Sequence, residues 1–152
     1  MACVSWASRA ARVPVCSLMN FSKAWAAREA QLTRANLLYR LKQYDEAAKA
    51  YTSLLDGRDP GWDTLVNESL SYCYAGMGNF KQAAEVLKPV AEHVSGPLKP
   101  EVMRRLAMLY EQAKEPKEAA VYWRKLLDQP PDAALVPYLQ EKLAAAEAAI
   151  KK

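Results

Sequence analysis

The side chains that carry chemistry in enzymes are few in this 152-residue chain, and they are scattered. It has one histidine, His93, and three cysteines, Cys3, Cys16 and Cys73. Nucleophilic catalysis needs a hydroxyl or thiol within reach of a base that a third group orients. No Cys–His pairing of that kind is visible. His93 falls in the last turn of a predicted helix, where an imidazole interacts with the helix's negative end. The cysteines are odd in number and match neither a disulfide framework nor a metal-ligand spacing. Cys73 lies among apolar neighbours in a helical stretch and reads as a small core residue. No glycine-rich loop is present to cradle a phosphate. Acids such as Asp45 and Glu46 stand at a helix start, where they complement the dipole. These residues point away from an enzyme, and the sequence calls for no cofactor and no metal.

What remains is the scaffold. Hydrophobic residues make up 51% of the chain and charged residues 25%, an ordinary composition for a folded domain of this length. Glycine occurs only five times, while alanine and leucine are plentiful, which favours helix over strand. The net charge is +4, of which Arg9 and Arg12 supply two in the first 22 residues. The remainder is near neutral and has no Lys/Arg block or glycine-aromatic RNA signature, so no nucleic-acid partner is expected. No apolar run approaches the roughly 18 residues of a membrane-spanning helix.

The first acid is Glu29, and the residues before it alternate in a helical pattern. Ser5, Ser8, Arg9 and Arg12 fall on one side; Ala2, Cys3, Trp6, Ala10 and Val13 fall on the other. Pro14 ends the pattern. A basic, serine-containing, acid-free segment of this kind resembles a mitochondrial transit peptide. The competing readings are a disordered or partly helical tail, or sequence upstream of a start at Met19.

The strongest signal is a period. The segments "YDEAAKAY" (44–51), "FKQAAEVL" (80–87) and "PKEAAVYW" (116–123) place the pairs Ala47–Ala48, Ala83–Ala84 and Ala119–Ala120 at intervals of 36 residues. Each unit reads as two helices. The first pairs a long helix over about 22–41 with one over 44–55; the second pairs 63–76 with 79–93. In the third unit, Pro100 and Pro116 occupy the first turns of its helices, where a missing N–H costs little. "GRDPG" (57–61) and "SGPLKP" (95–100) are loops.

These units resemble the tetratricopeptide repeat, whose pattern runs Trp-x2-Leu-Gly-x2-Tyr, Ala-x3-Phe, Pro. The third unit offers Met103, Leu106, Ala107 and Tyr110, then Ala119, Trp123 and Pro131. The second offers Asn67, Leu70, Ser71, Tyr74, Gly78, Ala83 and Leu87. The first, Gln31, Arg34, Ala35, Leu38, Ala47 and Tyr51, is the weakest fit, because Arg34 replaces the leucine. Small residues (Ala35, Ser71, Ala107) let the two helices of a unit approach. Tyr51, Leu87 and Trp123 wedge between units. A final helix over 133–150, capped by Asp132, carries Leu135, Leu139, Leu143, Ala146 and Ile150 as its apolar stripe and covers the open end of the stack. The rival reading of that helix is a docking element for a partner.

The resemblance implies an all-α solenoid: a basic segment at 1–22, three units at about 23–60, 61–98 and 99–131, and a capping helix at 132–152. It also implies a concave groove lined by the first helix of each unit. Family positions place Asn36, Tyr39 and Arg40, then Glu68, Ser69 and Tyr72, then Arg104, Arg105 and Met108 in that groove. The family's carboxylate clamp for chaperone tails is not reproduced: Asn36 and Arg105 match it, but Leu32, Ser69 and Glu101 do not. The expected role is non-catalytic: an adaptor or accessory subunit, binding protein or peptide partners within a larger, mitochondrial assembly. The alternative is a cytoplasmic peptide receptor or co-chaperone.

Overall fold

The computed structural model describes residues 15–151 and, within the first helix, the side chains of Lys23 and of residues 25–40. Among these residues seven α-helices follow one another: α1 (Val15–Arg40), α2 (Tyr44–Thr52), α3 (Pro60–Gly76), α4 (Phe80–His93), α5 (Leu98–Gln112), α6 (Pro116–Asp128) and α7 (Val136–Ile150). A single 3-10 turn, Ala133–Leu135, precedes α7, and no strand occurs among the described residues. The main packing contacts join each helix to its neighbours in sequence. The described residues therefore form a stack of hairpins, α1–α2, α3–α4 and α5–α6, closed by α7.

The small residues explain how the hairpins close. Ala35, Ser71 and Ala107 are fully buried, as are Ala47, Ala83 and Ala119 on the facing helices. A side chain of one carbon at each crossing lets helix axes come close without a void. The wedges are buried too: Tyr51, Leu87 and Trp123 are at most 2% exposed. Two apolar clusters result, one around Tyr51, Trp62, Val66 and Leu70, the other around Leu87, Leu106, Tyr110 and Trp123, and Tyr74 packs against both. Gly76 permits a further close approach, since a Cβ there would stand 2.8 Å from the Tyr44 ring.

Each hairpin turns in the same way. Lys42, Gly78 and Lys114, which are 36 residues apart, adopt φ of 61°, 80° and 60°. After each, an amide reaches back over the helix end: Gln43 N–H donates to the Leu38 carbonyl at 3.0 Å, Asn79 to Tyr74 at 2.9 Å, and Glu115 to Tyr110 at 2.9 Å. This is the Schellman closure, which satisfies carbonyls orphaned at a helix end and needs one left-handed residue.

Several boundaries differ from the sequence reading. α1 begins at Val15 rather than near Ser22, because neither proline nor glycine interrupts residues 15–40. The boundary drawn at 22–23 thus falls inside a continuous helix, and residues 1–14 of the basic segment lie outside the described residues. α3 begins at Pro60, three residues early, because the Asp59 carboxylate accepts from the amides of Gly61 (3.0 Å) and Trp62 (3.2 Å). The Asp132 carboxylate accepts from Ala134 N–H at 2.9 Å and so caps the 3-10 turn rather than α7 itself. Leu135 and Ile150, at the two ends of the expected apolar stripe, are 41% and 40% exposed; Leu139 and Ala146 form its buried centre.

The left-handed turns give a direct test. A side chain in this conformation costs about 1 kcal/mol or more relative to glycine, partly offset by glycine's greater chain entropy. Lys42→Gly and Lys114→Gly should each stabilise the fold by about 0.5 kcal/mol, and Gly78→Ala should destabilise it by about 1 kcal/mol. Urea denaturation followed by circular dichroism reads all three.

Candidate peptide-binding face

Side chains of α1, α3 and α5 meet along one side of the stack. Tyr39 on α1 meets Tyr72 on α3, with ring centroids 6.5 Å apart in an edge-to-face arrangement. The Arg105 guanidinium on α5 lies over the Tyr72 ring, 3.0 Å from its centroid. Tyr44 packs behind Tyr39 at 5.5 Å. Three successive units thus contribute one continuous tyrosine–tyrosine–arginine row. Tyr72 keeps 44% of its surface exposed, which leaves a broad aromatic face open to a ligand.

Arg105 is the electrostatic centre of the row. One of its Nη atoms donates to the Ser71 hydroxyl at 3.4 Å, while the other is buried without a hydrogen-bond partner. Burial lowers its pKa, and the nearby Tyr72, Glu68, Tyr39 and Glu101 oppose that shift. A guanidinium starts so high that it stays charged. Stacking on Tyr72 supplies about 1 kcal/mol of cation–π attraction in place of lost hydration. Burial likewise pushes the Tyr39 phenol up, with Tyr44 adding to the shift.

The remaining residues assigned to the groove by sequence are distributed more unevenly. Asn36 accepts a hydrogen bond from the Tyr51 hydroxyl at 2.5 Å and so ties α1 to α2. Ser69 donates to the Leu65 carbonyl of its own helix at 3.0 Å. Arg104 is engaged by Glu101, its Nε 3.2 Å from a carboxylate oxygen. Glu68 is half-buried in the field of Arg105. Arg40 and Met108 are exposed. Tyr39, Tyr72 and Arg105 are brought into contact; Asn36, Arg40 and Arg104 stand outside that row.

Sequence reasoning missed the continuation of the wall onto α7. Leu139, Leu143 and Ala146 stand 37 residues after Val102, Leu106 and Leu109 and pack in the same way. By that register Lys142 follows Arg105 and Ala145 follows Met108. A cavity of about 500 Å³ opens there, lined by Glu111, Lys114, Pro116, Lys142 and the α7 alanines. Glu111 is held from two sides, by the Trp123 indole N–H at 2.9 Å and the Lys142 ammonium at 3.3 Å. The signal available in the sequence was the apolar spacing of α7, offset by one residue from the period of the units before it.

The hairpins with their recurrent small-residue crossings match the family model "Tetratricopeptide repeat" over residues 29–56 and 101–133. Two of its three hairpin units carry tetratricopeptide repeats by this match. The two matched stretches are the first and third units, so the first unit fits the pattern well even though Arg34 replaces its leucine. Among solved structures, the repeat chain is similar to PcrH from Pseudomonas aeruginosa: 20% identity, TM-score 0.57, 80% of this chain and 92% of that one covered. PcrH in complex with the chaperone binding region of PopD aligns at 22% identity and TM-score 0.54, covering 79% and 90% of the two chains. The Yersinia enterocolitica type III secretion translocator chaperone SycD aligns at 21% identity and TM-score 0.55, covering 84% and 95%. At these identities the likeness is one of fold. No curated protein sequence matches the chain.

Among the described residues, no cluster of His, Cys, Asp and Glu could hold a metal ion. No helix among them is long and apolar enough to cross a membrane. His93 turns back onto its own helix, its Nδ1 2.8 Å from the Pro89 carbonyl.

Cys73 sits fully buried behind the tyrosine row, and desolvation raises its thiol to about 11. The folded state therefore keeps a proton that the unfolded chain releases near pH 9. Stability is unaffected below that value and falls as pH rises from 9 toward 11. Cys73→Ala should flatten this alkaline loss, read as the pH dependence of the urea midpoint. In the native protein at pH 8, mass spectrometry should find Cys73 unmodified by iodoacetamide while it labels fully in denaturant.

Proposed function

We propose that the protein is a non-catalytic interaction module that holds an extended segment of a partner protein against the wall made by α1, α3, α5 and α7. The observation that carries this reading is the row Tyr39–Tyr72–Arg105. Rigid aromatic rings and an arginine, half-exposed and aligned across three units, are the residue types that dominate interface energies. A segment lying across them meets the Tyr72 face and then Met108, so it carries apolar or aromatic side chains at intervals matching the spacing of adjacent helices. Support comes from the similar fold of a chaperone solved together with a binding region of its partner.

Two finer elements belong to the same proposal. The partner is part of a stable multi-subunit assembly, in which this chain is an adaptor or accessory subunit. The basic, acid-free stretch at the amino terminus directs that assembly to mitochondria. The reading in which the chain acts instead as a cytoplasmic receptor or co-chaperone for transient peptides shares the same binding wall and differs in residence time.

Native-size fractionation of the endogenous protein, with mass spectrometry of the co-migrating chains and of its own amino terminus, separates these. Stoichiometric migration with a large complex, and an amino terminus beginning after residue 12 or so, supports the mitochondrial subunit. Migration near the chain's own 17.0 kDa with Met1 or Ala2 intact overturns it in favour of the transient binder. The wall itself is tested by Tyr72→Ala, which should weaken partner binding by about 30-fold while leaving the melting temperature within a few degrees of wild type. Binding unchanged by Tyr72→Ala and by Met108→Asp would remove the wall from the interface.

A further inference from the structure

The two ends of the stack are finished differently. Toward the carboxyl end, α7 presents Gln140, Ala144, Glu147 and Lys151 where Met103, Ala107, Tyr110 and Lys114 stand 37 residues earlier. In the third unit Met103, Ala107 and Tyr110 form the side of α5 that packs into the core shared with α6. In α7 that side is mostly polar, as a face meant for water is. The amino-terminal end is not finished in this way. On α3 the residues Val66, Leu70 and Cys73 are buried beneath α2, and on α5 Val102, Leu106 and Leu109 are buried beneath α4. The equivalent ridge, 36 residues before that of α3, is Ala30, Arg34 and Leu37 on α1, continued by Leu41 just after its end. No helix precedes it among the described residues. Leu37 is 51% exposed and Leu41 69%.

The spacing of that ridge, four then three then four residues, is the seam that one helix offers another. Its charge is one-sided. Arg34 stands within it, Lys23 lies on the same side three turns earlier, about 16 Å away, and no acid occurs on this side of α1. Arg34 and Lys23 have no carboxylate within salt-bridge distance among the described residues.

We propose that this face of α1 docks an acidic amphipathic helix of a partner protein, seated where the second helix of a preceding unit would lie. Its apolar stripe covers Ala30, Leu37 and Leu41, and its carboxylates meet Arg34 and Lys23. A second copy of the chain is a poor occupant, because pairing two such faces sets only the cations Lys23 and Arg34 of each copy along the shared seam. The surface is separate from the tyrosine row and can be tested apart from it.

Two synthetic 20-residue helical peptides serve as probes, with one Leu/Ala stripe in common and flanked either by Glu or by Lys. Fluorescence anisotropy against the full chain should show the Glu peptide binding at least about tenfold tighter at low salt, with the difference lost in 1 M salt. Leu37→Asp should cut Glu-peptide binding by about tenfold or more, and Arg34→Glu should reverse the preference between peptides. Both positions are exposed, so unchanged melting curves should accompany these losses. Tyr72→Ala should leave peptide binding intact even if it abolishes partner binding at the wall. The proposal is overturned by absence of saturable binding, by equal affinity for the two peptides, or by loss of binding in Tyr72→Ala. Sedimentation showing a dimer that Leu37→Asp dissolves would also overturn it, since the face would then belong to a second copy.

Discussion

Close approach of two helices within each hairpin is the constraint on which the rest of this protein depends. Where α1 crosses α2, α3 crosses α4 and α5 crosses α6, the contact is made by alanine or serine on one helix and an alanine pair on the other. A leucine at Ala107 would push the axes apart, and overpacking of that kind typically costs about 1–3 kcal/mol. More follows from the spacing than from the energy. With the hairpins tight, the wedges Tyr51, Leu87 and Trp123 reach the next unit and fix how far each hairpin is rotated against the last. That rotation puts Tyr39, Tyr72 and Arg105 in one row. The tyrosine–arginine row is thus a product of side-chain volume at positions outside the row itself.

Much of this architecture is legible in the sequence because it is periodic. The alanine pairs, the wedges and the small residues all recur at 36, and three in phase leave little freedom in assigning the hairpins. The turns were only half visible. Gly78 is a recognisable left-handed residue, but Lys42 and Lys114 adopt the same conformation with nothing in their type to announce it. The limits of helices were harder where capping decides them, as at Asp59, whose carboxylate draws the start of α3 back to Pro60. The wall was legible by position and not by contact. That Tyr72 would stack under Arg105, while Arg104 beside it would be taken by Glu101, depends on rotamers that no spacing encodes. The extension onto α7 was obscured by a single residue, since the last helix follows at 37 rather than 36.

The two ends of the solenoid show how the same helix type is made to stop or to continue. α7 uses the buried side of a first helix, Leu139 and Ala146, to cover α6, and puts glutamine, glutamate and lysine on the side where another helix would have packed. Salt bridges hold it in register, with Arg124 on α6 reaching Glu147 and Lys142 reaching Glu111. Pairs this exposed add little stability, but they are directional and suit the placing of a terminal element. α1 is longer than any other helix and has its own anchor outside the repeat: Trp25 meets Trp62 edge-to-face at 6.0 Å, and Arg28 lies over the same indole at 4.4 Å while pairing with Asp56. The helix is thereby fastened to the second unit as well as to the first.

The main packing contacts run between helices adjacent in the chain, and every hairpin is closed by a turn made of its own residues. A fold with that contact pattern has low contact order, so its transition state need not wait for distant segments to meet. Each unit can close within roughly microseconds of leaving the ribosome, long before synthesis of the next 36 residues is complete. A nascent chain of this kind presents its first hairpin, with the α1 face, to the surrounding solution while the capping helix is still unmade. The α1 face is therefore formed and exposed before the rest of the stack exists.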